Sequence, residues 1–141
     1  MTAPASARLA IDGSNLAQLH AWAADAYPEE ACALIVGSGD PPVITRLVPC
    51  GNVASDRRRR FEVDPAARIR LEIALRGTAE RVVGVWHSHP GGPPEPSATD
   101  AAMIYEPDLI WLITGIAPPA GPVTRAFQPE GNGFQELELN G

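Results

Sequence analysis

The sequence predicts an α/β (α+β) layered fold, a mostly antiparallel sheet flanked by helices, in a single domain spanning 1–141. Three observations predict it. Short apolar runs of strand length are interleaved with segments that carry helix start and stop signals. Gly and Pro supply 13 and 15 of the 141 residues, against an average of roughly one residue in eight, so turns are many and elements short. Hydrophobic residues make up 45% and charged residues 20%, which suits one buried core and excludes a disordered acidic chain.

The expected order is β-α-β-β-β-α-β-α-β-β-β. A short apolar patch at Leu9 to Ile11 opens it. Ser14 is a candidate N-cap for a helix whose Leu16, Leu19, Ala23 and Ala26 recur on one face, and Pro28 ends that helix. Ala31 to Val36 is almost continuously apolar, as in a strand buried on both faces, and Gly37 and Gly39 stop it. Val43 to Val48 reads as the next strand. Gly51 to Arg60 is a polar loop leading to a third short strand at Phe61 and Val63. Asp64 then Pro65 is a cap with proline at the first helical position, and Gly77 stands past the end. The spacing therefore predicts a helix over 65–76, with Ile69, Ile73 and Arg76 on one stripe. Arg81 to Trp86 is another strand, running into His87-Ser88-His89 and a loop rich in Pro and Gly. Ser97 to Tyr105 predicts a short helix; Leu109 to Thr114, Val123 to Phe127 and Phe134 to Leu139 predict the remaining strands.

Composition also excludes whole classes of function. Eleven Lys and Arg against 17 Asp and Glu give a formal charge of −6, so a nucleic-acid partner is not expected. The opening MTAPASAR lacks the apolar stretch of a signal peptide, and Leu109 to Ile113 is far shorter than the ~18 residues that cross a bilayer. A soluble, cytoplasmic protein without a membrane partner is expected. Cys32 and Cys50 can form at most one disulfide and read as buried thiols.

The chemistry concentrates at the end of the Arg81 strand. Residues two apart in a strand share a face, so His87 and His89 can reach one point in space. Asp100 follows eleven residues after His89, on the first turn of the predicted helix. Two imidazoles and one carboxylate, with a fourth position left for water, form the ligand set of a catalytic zinc. Taken alone, Ser97 and Asp100 also have the spacing of a capping box. His20, on the first helix, reads as a satisfied or half-exposed helix histidine. Ser88 points to the opposite face from its neighbours and is expected to make a structural hydrogen bond.

The combined pattern, His87-Ser88-His89, seven residues, Ser97, two residues and Asp100, resembles the signature of the JAMM or MPN+ family of zinc metalloproteases. The resemblance extends over roughly 25 to 115, through Asn52, the Phe61-Glu62-Val63-Asp64-Pro65 stretch and the strand starting at Asp108-Leu109. It implies an MPN/JAMM-like, cytidine-deaminase-like layered fold. It also implies one Zn²⁺ per chain, held by His87, His89 and Asp100. By position in Pro28-Glu29-Glu30, Glu30 corresponds to the family's catalytic glutamate, with Glu29 as its competitor. Ser97 corresponds to the residue that donates to the tetrahedral oxyanion. Ala33 departs from the pattern, standing where many bacterial members carry glycine, but no ligand is lost.

The implied activity is hydrolysis of the bond after a C-terminal Gly-Gly of a ubiquitin-like β-grasp protein. For so compact a chain the resemblance points to a bacterial sulfur carrier or its cysteine adduct. That carrier is the expected partner, and homodimerisation is left open. Arg57 to Arg60 is either a solvated loop or a docking patch for an acidic carrier. Two readings compete. A catalytically silent MPN-type interaction module would keep the fold without zinc. A cupin-like metal-binding barrel would use Glu95 with the two histidines, but no histidine follows His89.

Overall fold

Apolar runs that cannot face water on either side must lie between two packed layers, and the chain provides them. A computed structural model describes residues 8–117 and 119–140. In chain order it contains β1 (Arg8–Ala10), α1 (Gly13–Ala26), β2 (Cys32–Ser38), β3 (Val43–Cys50), α2 (Pro65–Leu75), β4 (Arg81–Pro90), α3 (Ala98–Ala102), β5 (Ile110–Ile116), β6 (Val123–Glu130) and β7 (Gly133–Asn140). The fold is mixed α/β, as the sequence predicts. The strands lie in the order β1-β3-β2-β4-β5-β6-β7 and close into a barrel through β1. The four hairpin-like pairs β2–β3, β2–β4, β5–β6 and β6–β7 are antiparallel, whereas β4–β5 and both edges of β1 are parallel.

Two hydrophobic clusters cover the two faces of this sheet. Leu19 and Ala23 of α1 pack with Ala33, Ile35, Trp86 and Leu112. Leu71 and Leu75 of α2 pack with Leu34, Val36, Trp111 and Ile113. Alternate residues of β2 thus enter opposite clusters, which explains its unbroken apolar sequence.

Several expectations are corrected. Asp12, not Ser14, caps α1: its carboxylate accepts from the Asn15 backbone at 2.8 Å and from the Ser14 hydroxyl at 3.0 Å. The stripe of α2 that meets the core is Leu71 and Leu75, while Ile69 and Ile73 are exposed. Phe61 and Val63 form no strand; a single bridge joins Asn52 to Val63. The Asn52 side chain replaces the ladder by donating to Arg60 O at 3.0 Å and accepting from Glu62 N at 3.0 Å. The helix beginning after Ser97 stops at Ala102, short of Tyr105. Strand β4 runs on through both histidines to Pro90. Among the described residues no helix is long and apolar enough to cross a membrane.

The central strands hold the histidines in register. His87 lies opposite Cys32 on one side and Ile113 on the other, and His89 lies opposite Gly115. The Pro- and Gly-rich loop after β4 folds back over β5. A Cβ on Gly115 would stand 2.5 Å from Pro94 N and 2.6 Å from Gly92 O, so only glycine admits the loop there.

Candidate metal centre

Strand parity puts both imidazoles on the α2 side of β4, with their Nε2 atoms 2.9 Å apart. Helix α3 brings the carboxylate to them. Its start is a reciprocal capping box, in which Ser97 Oγ accepts from Asp100 N at 3.0 Å and Asp100 Oδ2 accepts from Ser97 N at 2.9 Å. The same Oδ2 lies 3.0 Å from His89 Nε2 and 3.3 Å from His87 Nε2. The capping box and the ligand pattern are therefore one structure: the cap aims Asp100 at the histidines.

Electrostatics follow from burial and from this contact. Burial alone would raise the Asp100 carboxyl, but the hydrogen bonds from both imidazoles reverse that and hold it well below the usual carboxylate range. His87 is fully buried, which pushes its pKa down despite Asp100 and favours the neutral ring. Burial also opposes charge on His89, yet the hydrogen bond and charge of Asp100 outweigh it and the pKa rises. His89 Nδ1 stands 3.0 Å from Pro93 O. A carbonyl only accepts, so Nδ1 keeps its hydrogen, and Nε2, which donates to Asp100 in the metal-free site, is the nitrogen from which a cation would displace the proton.

Glu30 approaches from the segment between α1 and β2. Its backbone N–H donates to Arg57 O at 2.6 Å, and its carbonyl accepts from Asn52 Nδ2 at 2.9 Å. The next residue is tied to β4, since Ala31 N donates to Ser88 Oγ at 2.9 Å and Ser88 N donates to Ala31 O at 3.1 Å. Ser88 thus has the structural role expected of it. The Glu30 side chain is buried, with one carboxylate oxygen within 4.8 Å of the ligand nitrogens of His87 and His89. Burial, reinforced by Asp100 and Asp56 and opposed by His89, pushes its pKa up to about 7. Glu29 instead points outward and pairs with Arg57 at 3.4 Å.

The donor set fits a small cation. A tetrahedral ion with bonds of about 2.0–2.1 Å separates its ligands by roughly 3.3 Å, and His87 Nε2, His89 Nε2 and Asp100 Oδ2 lie 2.9–3.3 Å apart. Glu30 Oε1, beside them, is buried without a hydrogen-bond partner among the described residues, the condition of a group suited to water or an ion. Cys32, opposite His87 in register, turns its thiol toward Cys50 O at 3.6 Å and Gly51 O at 3.8 Å, and burial pushes that thiol up to about 12. Cys50 is half-buried, and both cysteines are free thiols.

Other candidates lie elsewhere. His20 Nε2 stands 2.9 Å from Thr124 Oγ1, on the α1 side of the sheet. Glu95 pairs with Arg125 at 3.4 Å on the surface and does not join the histidines. Ser97 is exposed, and with its oxygen accepting from Asp100 N its hydroxyl hydrogen remains free to donate. Sequence reasoning missed three contributors. Pro93 orients His89, while Phe61 and Trp111 pack around His87. The Phe61 stretch stood out in the sequence, but nothing local said that its ring would meet a histidine 26 residues on.

Comparison with known proteins agrees with this architecture. The family described as prokaryotic homologs of the JAB domain matches residues 13–128. The desampylase of Haloferax volcanii is 34% identical over 133 residues, 93% of each chain. The CysO-cysteine peptidase of Mycobacterium tuberculosis is 25% identical over 114 residues, 81% of this chain and 77% of its own. A JAB1/MPN domain protein from Archaeoglobus fulgidus shares the fold, with a TM-score of 0.58 at 22% identity, covering 95% of this chain and 96% of that one. The chain belongs to the family of prokaryotic homologs of the JAB domain.

Proposed function

We propose that this chain is a zinc-dependent metallopeptidase or isopeptidase that hydrolyses the bond after the C-terminal Gly-Gly of a ubiquitin-like β-grasp protein. The single observation that carries the reading is the convergence of His87 Nε2, His89 Nε2 and Asp100 Oδ2 beside the buried, unpaired carboxylate of Glu30. Relatives named desampylase and CysO-cysteine peptidase support the substrate class, and the second supports a sulfur carrier or its cysteine adduct. The enzyme works in the cytoplasm as one domain spanning 1–141, with one zinc per chain.

His87, His89 and Asp100 would hold the zinc, which when bound supplies Lewis acidity toward water and the scissile carbonyl. Glu30 removes the proton of the attacking water and returns one to the leaving amine. Burial raises the Glu30 carboxyl and a bound cation would lower it again, which brings it into the range where a carboxylate can both take and return a proton near neutral pH. Ser97 donates its free hydroxyl hydrogen to the oxyanion that forms on the carbonyl, a contact whose loss costs on the order of 3 kcal/mol. An extended diglycine tail suits this site because glycine passes where larger side chains would clash.

The test follows intact mass when zinc-loaded protein meets β-grasp carriers extended beyond Gly-Gly, or a carrier-cysteine adduct. Cleavage after the second glycine, abolished by a chelator and restored by zinc, is expected. Intact substrates throughout, with no zinc retained on the chain, would overturn the reading in favour of a silent interaction module.

A further inference from the structure

A metal-binding imidazole ordinarily has its second nitrogen tied to an acceptor, which fixes the ring and its tautomer. His89 has that tie, through Nδ1 and Pro93 O at 3.0 Å. His87 does not: its Nδ1 is buried and has no hydrogen-bond partner among the described residues. What holds the ring is aromatic. Phe61 stacks on it face to face, with centroids 4.2 Å apart and planes inclined by 15°. Trp111 closes a second side edge-on at 5.5 Å and 89°, and also meets Phe61 at 5.5 Å. Rotation of His87 about its ring bond would have to push through one of these two side chains.

We propose that Phe61 is a positioning residue for the metal centre, its ring doing for His87 what the Pro93 carbonyl does for His89. The chain fixes Phe61 from two directions. Asn52 binds Arg60 O and Glu62 N on either side of it, and the same side-chain amide binds Glu30 O. The segment that presents the ring therefore also holds the backbone of the general base, and one asparagine sets the spacing between the two. The proposal rests on the zinc reading above.

The test uses the full chain with Phe61→Leu, which keeps apolar bulk and removes the flat face, and Phe61→Tyr, which restores it. Phe61 also lines a cavity of about 630 Å³ with Arg68, Met103 and Tyr105, so open space adjoins the residue for the added hydroxyl. Zinc affinity is read by competition with a chromophoric chelator, and the site's symmetry by the visible bands of the cobalt-substituted protein. Phe61→Leu is expected to weaken zinc by about tenfold and to change the cobalt spectrum, with Phe61→Tyr returning both toward wild type. Should Phe61→Leu fail to fold by circular dichroism, Phe61→Met takes its place. Wild-type affinity and an unchanged spectrum in the ring-less variant would overturn the proposal while leaving the zinc reading intact. A tyrosine variant no better than leucine would overturn it as well. Absence of zinc binding by the wild type would instead sink the reading on which it rests, and the proposal with it.

Discussion

At the scale of single residues, Glu30 has two opposed consequences that can be measured separately. Burial raises its pKa from the ordinary 4.5 to about 7. The folded, metal-free protein therefore binds this proton more tightly than the unfolded chain does. The stabilisation is fully present below pH 4.5 and is lost as pH rises through 7, to a total on the order of 3 kcal/mol. Glu30→Gln removes that loss. In a chelator its melting temperature should exceed wild type by several degrees at pH 8, and the difference should vanish near pH 4.5. Activity runs the other way. In the proposed role of Glu30 as base the ionised form is the active one, so kcat/KM should rise along an acid limb with a midpoint at or below 7, because a bound cation favours the carboxylate. Glu30→Gln should keep zinc and lose roughly 10²–10⁴ in turnover, whereas His89→Ala should lose both zinc and turnover. Wild-type cleavage by Glu30→Gln would remove the base assignment.

At the scale of elements, what could be read from the sequence depended on whether one local period admitted one answer. The convergence of His87, His89 and Asp100 was legible because His87-x-His89 carries strand parity and Ser97-x-x-Asp100 carries a capping box, and β4 and α3 obey both rules. Helix α2 was legible in existence and not in phase. Ile69, Leu71, Ile73 and Leu75 fall at every second position, so they make two i,i+4 pairs about 200° apart around the helix. Either pair could be the buried one; packing against Phe61, Val85 and Trp111 selects Leu71 and Leu75. The third short strand failed differently, because a side-chain amide took the place of a ladder that local propensity implied. The loop after β4 yields a prediction of its own. Gly115→Ala would place a methyl group 2.5 Å from Pro94 N, which the loop can relieve only by lifting. Pro93 O would then leave His89 Nδ1. Zinc affinity should fall severalfold with the β4–β5 pairing retained, as read by competition titration and amide exchange. Unchanged affinity would show that the loop merely covers the strand.

At the scale of the whole molecule, closure of the barrel through three-residue β1 and the charge distribution are both properties that no local window contains. A formal charge of −6 repels an acidic partner at long range, while Arg57 to Arg60 concentrate the opposite charge on the loop whose Arg57 carbonyl holds Glu30 N. The Arg57–Glu29 and Arg59–Asp56 pairs at 3.4 and 3.8 Å are solvent-exposed contacts. Such pairs are worth about 0–1 kcal/mol and exchange readily for a partner's carboxylates. These arginines are therefore expected to attract an acidic carrier at short range, on a molecule whose net charge otherwise disfavours it. Changing Arg57 to Arg59 to Ser leaves the Arg57 carbonyl in place, so the hold on Glu30 survives. With an acidic β-grasp carrier the expected outcome is a severalfold higher KM at low salt and an unchanged kcat. The difference should disappear near 0.5 M salt, where the Debye length falls to about 4 Å. Equal KM values for the variant and the wild type at both ionic strengths would reduce the run to a solvated loop.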